Sequence, residues 1–263
     1  MDPRMRRRRV EVRREEGRRR LRLVVGISVV AALGGGGWAA TGSPLMDLDR
    51  VVVEGAAHTA PEDARFASGL RLGEPLVDVD EKAAARGVET LPWVDRATVR
   101  RRWPGEVRIR LIERQPVAVA TVEGGRAAVL DASGRVVELV EVPPPGLPVL
   151  TGLPAPGPPG STLSPDGVAA LSVAVALPAE LRARTVGVAP VGGEGGEVEI
   201  RLSPEGSVRL GPPVDLDRKF DAIRAVFAQV DLGNLAVLDV RRPDSPVLTR
   251  RETPPRVSTP RVG

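Results

Sequence analysis

The stretch VDRATVRRRWPGEVRIRLIE, residues 94–113, decides how the first half of this chain folds. From Val107 to Leu111 every second residue is aliphatic and the residues between are arginines. This alternation is typical of a strand with one buried and one solvated face. Trp103-Pro104-Gly105 separates this run from another β-rich run, as a hairpin turn does. The sequence therefore predicts two paired strands, Val94 to Arg102 and Glu106 to Glu113.

One strand and two short helices are predicted before the hairpin. Leu48 to Glu54 is rich in β-forming residues. Thr59 to Glu62 has the spacing of a capping box with a proline in the first turn, which predicts a helix that Gly69 ends. Asp78 to Glu81 repeats the capping pattern before a second helix, Asp80 to Thr90. The order strand, helix, helix, strand, strand predicts two helices packed on one face of a three-stranded sheet.

An uncharged stretch, Leu23 to Met46, precedes this unit. Its 24 residues exceed the length that spans a bilayer, about 20 residues. Arginines come before it and Asp47 and Asp49 follow, so the positive-inside rule places the N-terminus in the cytoplasm. We therefore expect an uncleaved membrane anchor. The residues expected to form this anchor are Leu23, Val30, Leu33 and Trp38.

Two other interpretations of the uncharged stretch stay open. The small residues after Trp38 could form the cleavage site of a signal peptide. Gly34 to Gly37 could allow a partner helix to pack closely in the membrane. The long arginine-rich region before the stretch favours the uncleaved anchor.

The net positive charge of the chain comes entirely from its first 22 residues. These contain eleven arginines and four acidic residues, a net +7; the whole chain is +4, so the remainder is −3. A nucleic-acid-binding domain carries its excess of basic residues on the folded face that meets the phosphates. In this chain the excess lies in the N-terminal tail, so the sequence does not favour a nucleic-acid-binding domain. The chain has no cysteine, which excludes disulfides and thiol chemistry.

A second, β-rich domain with two helices is predicted after Pro116. Ser164, followed by Pro165, begins a helix that runs to Leu177, and Asp215 is expected to cap an amphipathic helix. Arg250 to Gly263 is rich in proline and is expected to be disordered. The predicted strands are Val117 to Val122, Arg126 to Leu130, Val136 to Val140, Thr185 to Ala189, Glu197 to Leu202, Ser207 to Leu210, Leu235 to Arg241 and Val247 to Thr249.

The residues show no catalytic, cofactor-binding or metal-binding constellation. His58 is the one histidine and has no nucleophile motif near it, so a surface or capping role is expected. Gly192 to Gly196 lacks the strand-to-helix context of a phosphate loop and is interpreted as a hairpin loop. Arg100 to Arg102 is interpreted as a solvated edge, with partner binding as the alternative.

Several short segments together resemble the bacterial cell-division family FtsQ, also called DivIB. They occur in order and at the family's spacing behind the expected anchor. Those in the first half are Val52 to Gly55, Leu91 to Val94, Val99 to Pro104 and Glu113 to Ala118. Those in the second half are Val129 to Val136, Leu147 to Gly152 and Leu238 to Arg241.

The resemblance implies an α+β chain with an N-terminal transmembrane helix, a POTRA domain of order β-α-α-β-β and a C-terminal β-rich domain with two helices. The expected boundaries are a cytoplasmic basic tail at 1–22, the transmembrane helix at 23–46, the POTRA domain at 47–115, the β domain at 116–249 and a disordered tail at 250–263.

The resemblance also implies a non-enzymatic scaffold of the divisome, without cofactor or small-molecule substrate. Such a protein is a single-pass plasma-membrane protein concentrated at the septum. It binds the division proteins FtsB and FtsL, and through them it acts on the septal peptidoglycan synthase, FtsW with FtsI. The alternative function is a POTRA-containing polypeptide-binding module of envelope secretion or assembly. Such modules usually carry repeated POTRA units or a C-terminal barrel, and neither is evident here.

In the family the β domain binds FtsB by strand addition at its last strand, and the matching edge here is Val237 to Arg250. Pro243 and Pro246 interrupt this edge. A second, weaker hypothesis places another contact at the POTRA strand near Leu48 to Val53. The residues expected to bind partners are Leu238, Val240, Arg241, Arg242, Val247, Leu248 and Thr249, together with Arg101 in the POTRA domain.

Overall fold

The computed structural model describes residues 22, 24–32, 46–122, 125–192, 196–230 and 232–251. The chain divides into two compact units. The first, here called unit 1, comprises Met1–Glu89 and Arg96–Ile112, and the second, unit 2, comprises Thr90–Asp95 and Glu113–Gly263.

Only part of the expected membrane anchor lies in the described ranges. Residues 24–32 are helical, and Val30 is exposed. Leu23, Leu33 and Trp38 lie outside the described residues. Within the described ranges, no helix combines the length and the apolar character needed to cross a membrane.

Unit 1 is a three-stranded sheet with two short helices. The strand order is β1-β3-β2, and β1 runs parallel to β3 with Arg50 opposite Glu106. Val107 and Ile109 of β3 are fully buried while Arg108 and Arg110 lie on the other face, as their alternation predicts. The elements are β1 (Arg50–Glu54), α1 (Pro61–Ser68), a 3₁₀ turn (Leu76–Asp78), α2 (Glu81–Val88), β2 (Val94–Arg102) and β3 (Glu106–Glu113).

The helix starts of unit 1 both differ from the predicted capping patterns, and the N-cap of α2 is Asp80 instead of Asp78. Asp80 caps α2, because its carboxylate accepts hydrogen bonds from the backbone N–H of Lys82 (2.9 Å) and of Ala83 (3.0 Å). These bonds favour the charged carboxylate, so the pKa of Asp80 is lowered, first by the bond from Ala83. The capping box predicted for α1 is wrong. Ala60 is the N-cap there and has no polar side chain to accept a capping bond, and Pro61 follows in the first turn.

Unit 2 is built on one nine-stranded sheet. Its strand order is β12-β11-β10-β9-β8-β7-β4-β5-β6, and three neighbouring pairs, β4 with β7, β7 with β8 and β10 with β11, are parallel. The strands are β4 (Pro116–Thr121), β5 (Ala127–Asp131), β6 (Val136–Val140), β7 (Val149–Leu150), β8 (Thr185–Pro190), β9 (Val198–Leu202), β10 (Ser207–Gly211), β11 (Leu235–Asp239) and β12 (Val247–Arg250).

Three helices in the described part of unit 2 pack against the hydrophobic core that covers this sheet. They are α3 (Pro165–Ala176), α4 (Ala179–Arg182) and α5 (Leu216–Phe227). Ser164 caps α3 as predicted, with its hydroxyl accepting from the N–H of Gly167 at 3.3 Å. Asp215 is the N-cap of α5 but has φ 52° and makes no side-chain cap, so its predicted capping bond is wrong. The short helix α4 was not predicted, because Pro178 signals the end of α3 as well as a new start.

Candidate functional site: the free edge of the nine-stranded sheet

Strand β12 forms one edge of the sheet in unit 2. Strand β11 lies between β10 and β12, so its backbone is paired on both sides. Among the residues that the structure describes, no strand pairs with the outer side of β12. Its outward N–H and C=O groups can therefore accept another strand.

The opposite edge of the same sheet, β6, is partly occupied by the chain's own backbone. The N–H of Val136 donates to the carbonyl of Ser161 at 2.8 Å, and the N–H of Gly160 donates to the carbonyl of Val136 at 2.7 Å. The loop around residue 160 thus uses backbone groups at the start of β6. β12 is the more open of the two edges.

The register shows which backbone groups of β12 point outward. Leu248 lies opposite Leu238 in the antiparallel pair of β11 and β12. The N–H of Arg251 donates inward, to the carbonyl of Asn234 at 3.0 Å. Because inward and outward groups alternate along a strand, Leu248 and Arg250 direct their N–H and C=O groups to the free edge.

The predicted partner-binding residues divide into a buried and an exposed group. Leu238 and Val240 have no exposed surface and belong to the hydrophobic core. A partner at this edge would meet β12 and not these two side chains. Leu248 is half-buried against the same core, whereas Val247 is 62% exposed and Thr249 is also exposed.

The arginines near this edge differ in their electrostatic partners. Arg241 makes a bidentate ion pair with Asp239, with Nη2 at 2.7 Å and Nε at 3.0 Å from Oδ2 and 3.1 Å from Oδ1. This hydrogen bonding lowers the pKa of Asp239. Arg242 and Arg250 are exposed and make no ion pair within the described part of the chain. They are available to acidic groups of a partner.

The two prolines expected to interrupt the edge lie in the connection between its strands. Pro243 and Pro246 fall between the end of β11 and the start of β12. The N–H of Ser245 donates to the carbonyl of Arg242 at 3.1 Å and closes a turn there. All four residues of β12 are therefore free of proline.

Arg101 lies on β2 of unit 1 and is held by its own unit. Its Nη1 donates to the carbonyl of Val77 at 3.0 Å, and its backbone N–H donates to Glu81 at 2.9 Å. That backbone bond is the main cause of the lowered pKa of Glu81. These contacts attach β2 to the start of α2, which is a structural role.

The sequence did not single out Arg250 as a site residue. The structure adds it, because its backbone groups point outward and its side chain is exposed. A period of two counted from Leu248 would have indicated it, but the sequence alone does not show which side of the strand is already paired.

Comparison with known proteins identifies the family of this fold. Residues 46–114 match the model of the FtsQ-type POTRA domain, and residues 118–241 match the model of the C-terminal region of cell division protein FtsQ/DivIB. The cell division protein FtsQ of Rhodothermus marinus is 31% identical over 257 residues, which cover 94% of this chain and 92% of that protein. This chain belongs to the FtsQ/DivIB family of cell-division proteins.

Other FtsQ proteins are similar over shorter lengths. That of Salinibacter ruber is 31% identical over 221 residues, 78% of this chain and 80% of that protein. That of Streptomyces collinus is 36% identical over 140 residues, 52% of this chain and 53% of that protein. The chain thus spans about half the length of the Streptomyces relatives that it matches. The expected order of a POTRA domain and a β-rich C-terminal domain is confirmed by the two family matches.

Proposed function

We propose that this FtsQ/DivIB family member is a non-enzymatic scaffold of the divisome that binds FtsB by strand addition at β12. The observation that carries the proposal is the free, proline-free edge of the nine-stranded sheet. The proposal includes the organisation expected from the sequence: a cytoplasmic tail, a span at 23–46, a POTRA domain at 47–115 and a β domain at 116–249. FtsL and, indirectly, FtsW with FtsI complete the set of proposed partners.

Strand addition suits the chemistry of this edge. The outward N–H and C=O groups of Leu248 and Arg250 would supply main-chain hydrogen bonds, and the exposed side chains would supply specificity. Val247 offers an apolar contact that is now 62% exposed to solvent. Arg242 and Arg250 would attract a partner segment with acidic side chains. The proposed site is at the plasma membrane of the division septum, with the folded units on its outer side.

Charge reversal at the edge tests this proposal. We expect Val247→Asp combined with Arg242→Asp to abolish co-purification of FtsB with the full chain, because the pair would remove the apolar contact and repel acidic groups. Both side chains are exposed, so the free energy of unfolding should change little. A matched control is Arg218→Asp with Asp244→Arg, which reverses an exposed ion pair (2.8 Å) outside β12. Undiminished FtsB in the edge variant would contradict the proposal.

A polypeptide-binding POTRA module of envelope assembly is the second candidate function. The observation in its favour is that β1 is an edge strand of the three-stranded sheet of unit 1. A fluorescent fusion of the full chain separates the two functions. Rings at midcell support the divisome, and a uniform membrane signal supports the alternative.

A further inference from the structure

One end of unit 1 exposes two large apolar side chains. Trp103, in the turn between β2 and β3, is 52% exposed, and Leu72, in the loop after α1, is 69% exposed. Unit 1 also exposes Phe66 on α1 (90%), Val77 (47%) and Ile112 (53%), so it is the position of Trp103 and Leu72, and not their exposure alone, that distinguishes them. Both side chains lie on loops, and backbone hydrogen bonds place those loops together.

The segment that leads into β1 binds both loops. The N–H groups of Asp49 and Arg50 donate to the carbonyl of Gly105, at 2.8 and 3.1 Å, which fixes the turn that carries Trp103. The N–H of Gly73 donates to the carbonyl of Leu48 at 2.9 Å, which fixes the loop that carries Leu72. Trp103 and Leu72 therefore flank the chain just before β1 begins.

This segment follows directly on the uncharged stretch that ends at Met46. Three residues of extended chain reach at most about 11 Å, so Asp49 lies within that distance of the end of the stretch. If the stretch spans the bilayer, both loops lie at the level of the lipid headgroups. Tryptophan is enriched at that level because its ring is apolar and its N–H is polar.

The charges at this end of unit 1 are mixed in sign. Arg102, next to Trp103, is exposed and has no ion pair within the described residues, and Arg71 is exposed next to Leu72. Long arginine side chains can reach phosphates while neighbouring apolar groups insert. The acidic residues at the same end are Asp47, Asp49, Glu74 and Glu106, so net charge does not drive the contact; apolar insertion does.

We propose that Trp103 and Leu72 insert into the interface of the outer leaflet and hold the POTRA domain against the membrane. This inference rests on the proposed span at residues 23–46. The ligand is the phospholipid surface itself, with the two loops as a second attachment beside the span. The attachment would fix the orientation of unit 1 relative to the bilayer.

Depth-dependent quenching of Trp103 tests the inference in the full chain. The Trp38→Phe variant is reconstituted into vesicles of phosphatidylcholine and phosphatidylglycerol, and flotation confirms insertion. Subtracting the emission of Trp38→Phe with Trp103→Ser isolates the emission of Trp103. We expect lipids brominated on their acyl chains to remove most of this emission, and aqueous iodide to remove little. Adding Leu72→Ser should reduce the quenching by the brominated lipid.

A tryptophan at Ile112 is the matched control. Ile112 is 53% exposed and lies at the other end of β3, about 20 Å from the turn at the rise of a strand. The background of Trp38→Phe and Trp103→Ser retains Trp93, so its emission is again subtracted; the emission that Ile112→Trp adds should respond to iodide and not to brominated lipid.

The other outcomes overturn the inference in distinguishable ways. A chain that floats while Trp103 responds only to iodide would overturn the lipid contact and leave the span intact. Protection of Trp103 from both quenchers would assign the surface to a protein contact instead. A chain that fails to float would refute the span itself, and the lipid contact with it.

Discussion

At the scale of single residues, one buried carboxylate connects the start of unit 2 to its first hairpin. The side chain of Asp131 is 7% exposed and accepts from Arg114 Nη1 at 2.6 Å. It also accepts from Ser133 Oγ (2.7 Å), Ser133 N (2.9 Å) and Arg135 N (2.8 Å). Burial would raise the pKa of Asp131, but the hydrogen bonds from Ser133 and Arg114 outweigh it and leave the pKa lowered.

Asp131→Asn should therefore destabilise the protein strongly. An amide cannot accept as many bonds and removes the buried counter-charge of the Arg114 guanidinium, which then keeps only the longer pair with the half-exposed Asp95, at 3.4 Å. We expect a loss of about 3 kcal/mol in the free energy of unfolding, measured by chemical denaturation. Asp244→Asn, which breaks the exposed pair with Arg218, is the control and should cost less than about 1 kcal/mol.

The same substitution has a pH signature with a definite sign. A carboxylate whose folded pKa is lowered binds its proton more readily in the unfolded state, so its stabilisation is present above the ordinary pKa of 3.8 and is lost as the pH falls through the folded pKa. The difference in the free energy of unfolding between the parent chain and Asp131→Asn should therefore become smaller below about pH 4. If the difference in the free energy of unfolding stays constant from neutral to acidic pH, Asp131 does not stabilise the fold as a charged carboxylate.

At the scale of elements, the hairpin of unit 1 could be predicted and the start of α1 could not. The alternation from Val107 to Leu111 and the Trp-Pro-Gly break fixed both strands to the residue. The capping pattern at Thr59 fits the sequence spacing, but the helix begins at Pro61, so its N-cap is Ala60, one residue further along. The spacing of a capping box alone does not show which of two neighbouring residues becomes the N-cap.

The close approach of α1 and α2 gives a second test. A Cβ at Gly87 of α2 would lie 2.1 Å from the carbonyl oxygen of Ala67 at the end of α1. Alanine has the better helix propensity by about 1 kcal/mol, yet the helices would have to separate. We expect Gly87→Ala to lower the free energy of unfolding of unit 1 by about 1–3 kcal/mol. Lys82→Ala, an exposed change in α2, is the control; equal stability of both variants would refute the close packing.

The free edge at β12 could be predicted from the sequence only in part. The sequence pattern predicts a strand at Val247 to Thr249, and the resemblance to the FtsQ/DivIB family implies that it lies in a binding edge. It could not show that β11 is paired on both sides, because β10 and β11 are parallel neighbours joined through α5. Long-range pairing of this kind depends on the whole sheet. For that reason the residues expected to bind partners include Leu238 and Val240, which the structure buries.

At the scale of the whole molecule, family membership and edge geometry support one account. The chain matches the FtsQ-type POTRA domain and the FtsQ/DivIB C-terminal region, and in its nine-stranded sheet β12 is the more open edge among the described residues. We propose that backbone groups of β12, and not only its side chains, bind the partner. Binding through backbone hydrogen bonds is what distinguishes strand addition from a contact made by side chains alone.

Arg250 allows this central claim to be measured directly. Arg250→Pro removes an outward N–H from β12 without touching the inward bonds to β11, whereas Arg250→Ala removes only the side chain. We predict that the affinity of the full chain for FtsB falls at least tenfold further in Arg250→Pro than in Arg250→Ala, about 1.4 kcal/mol. Equal affinities of the two variants for FtsB would contradict strand addition at this edge.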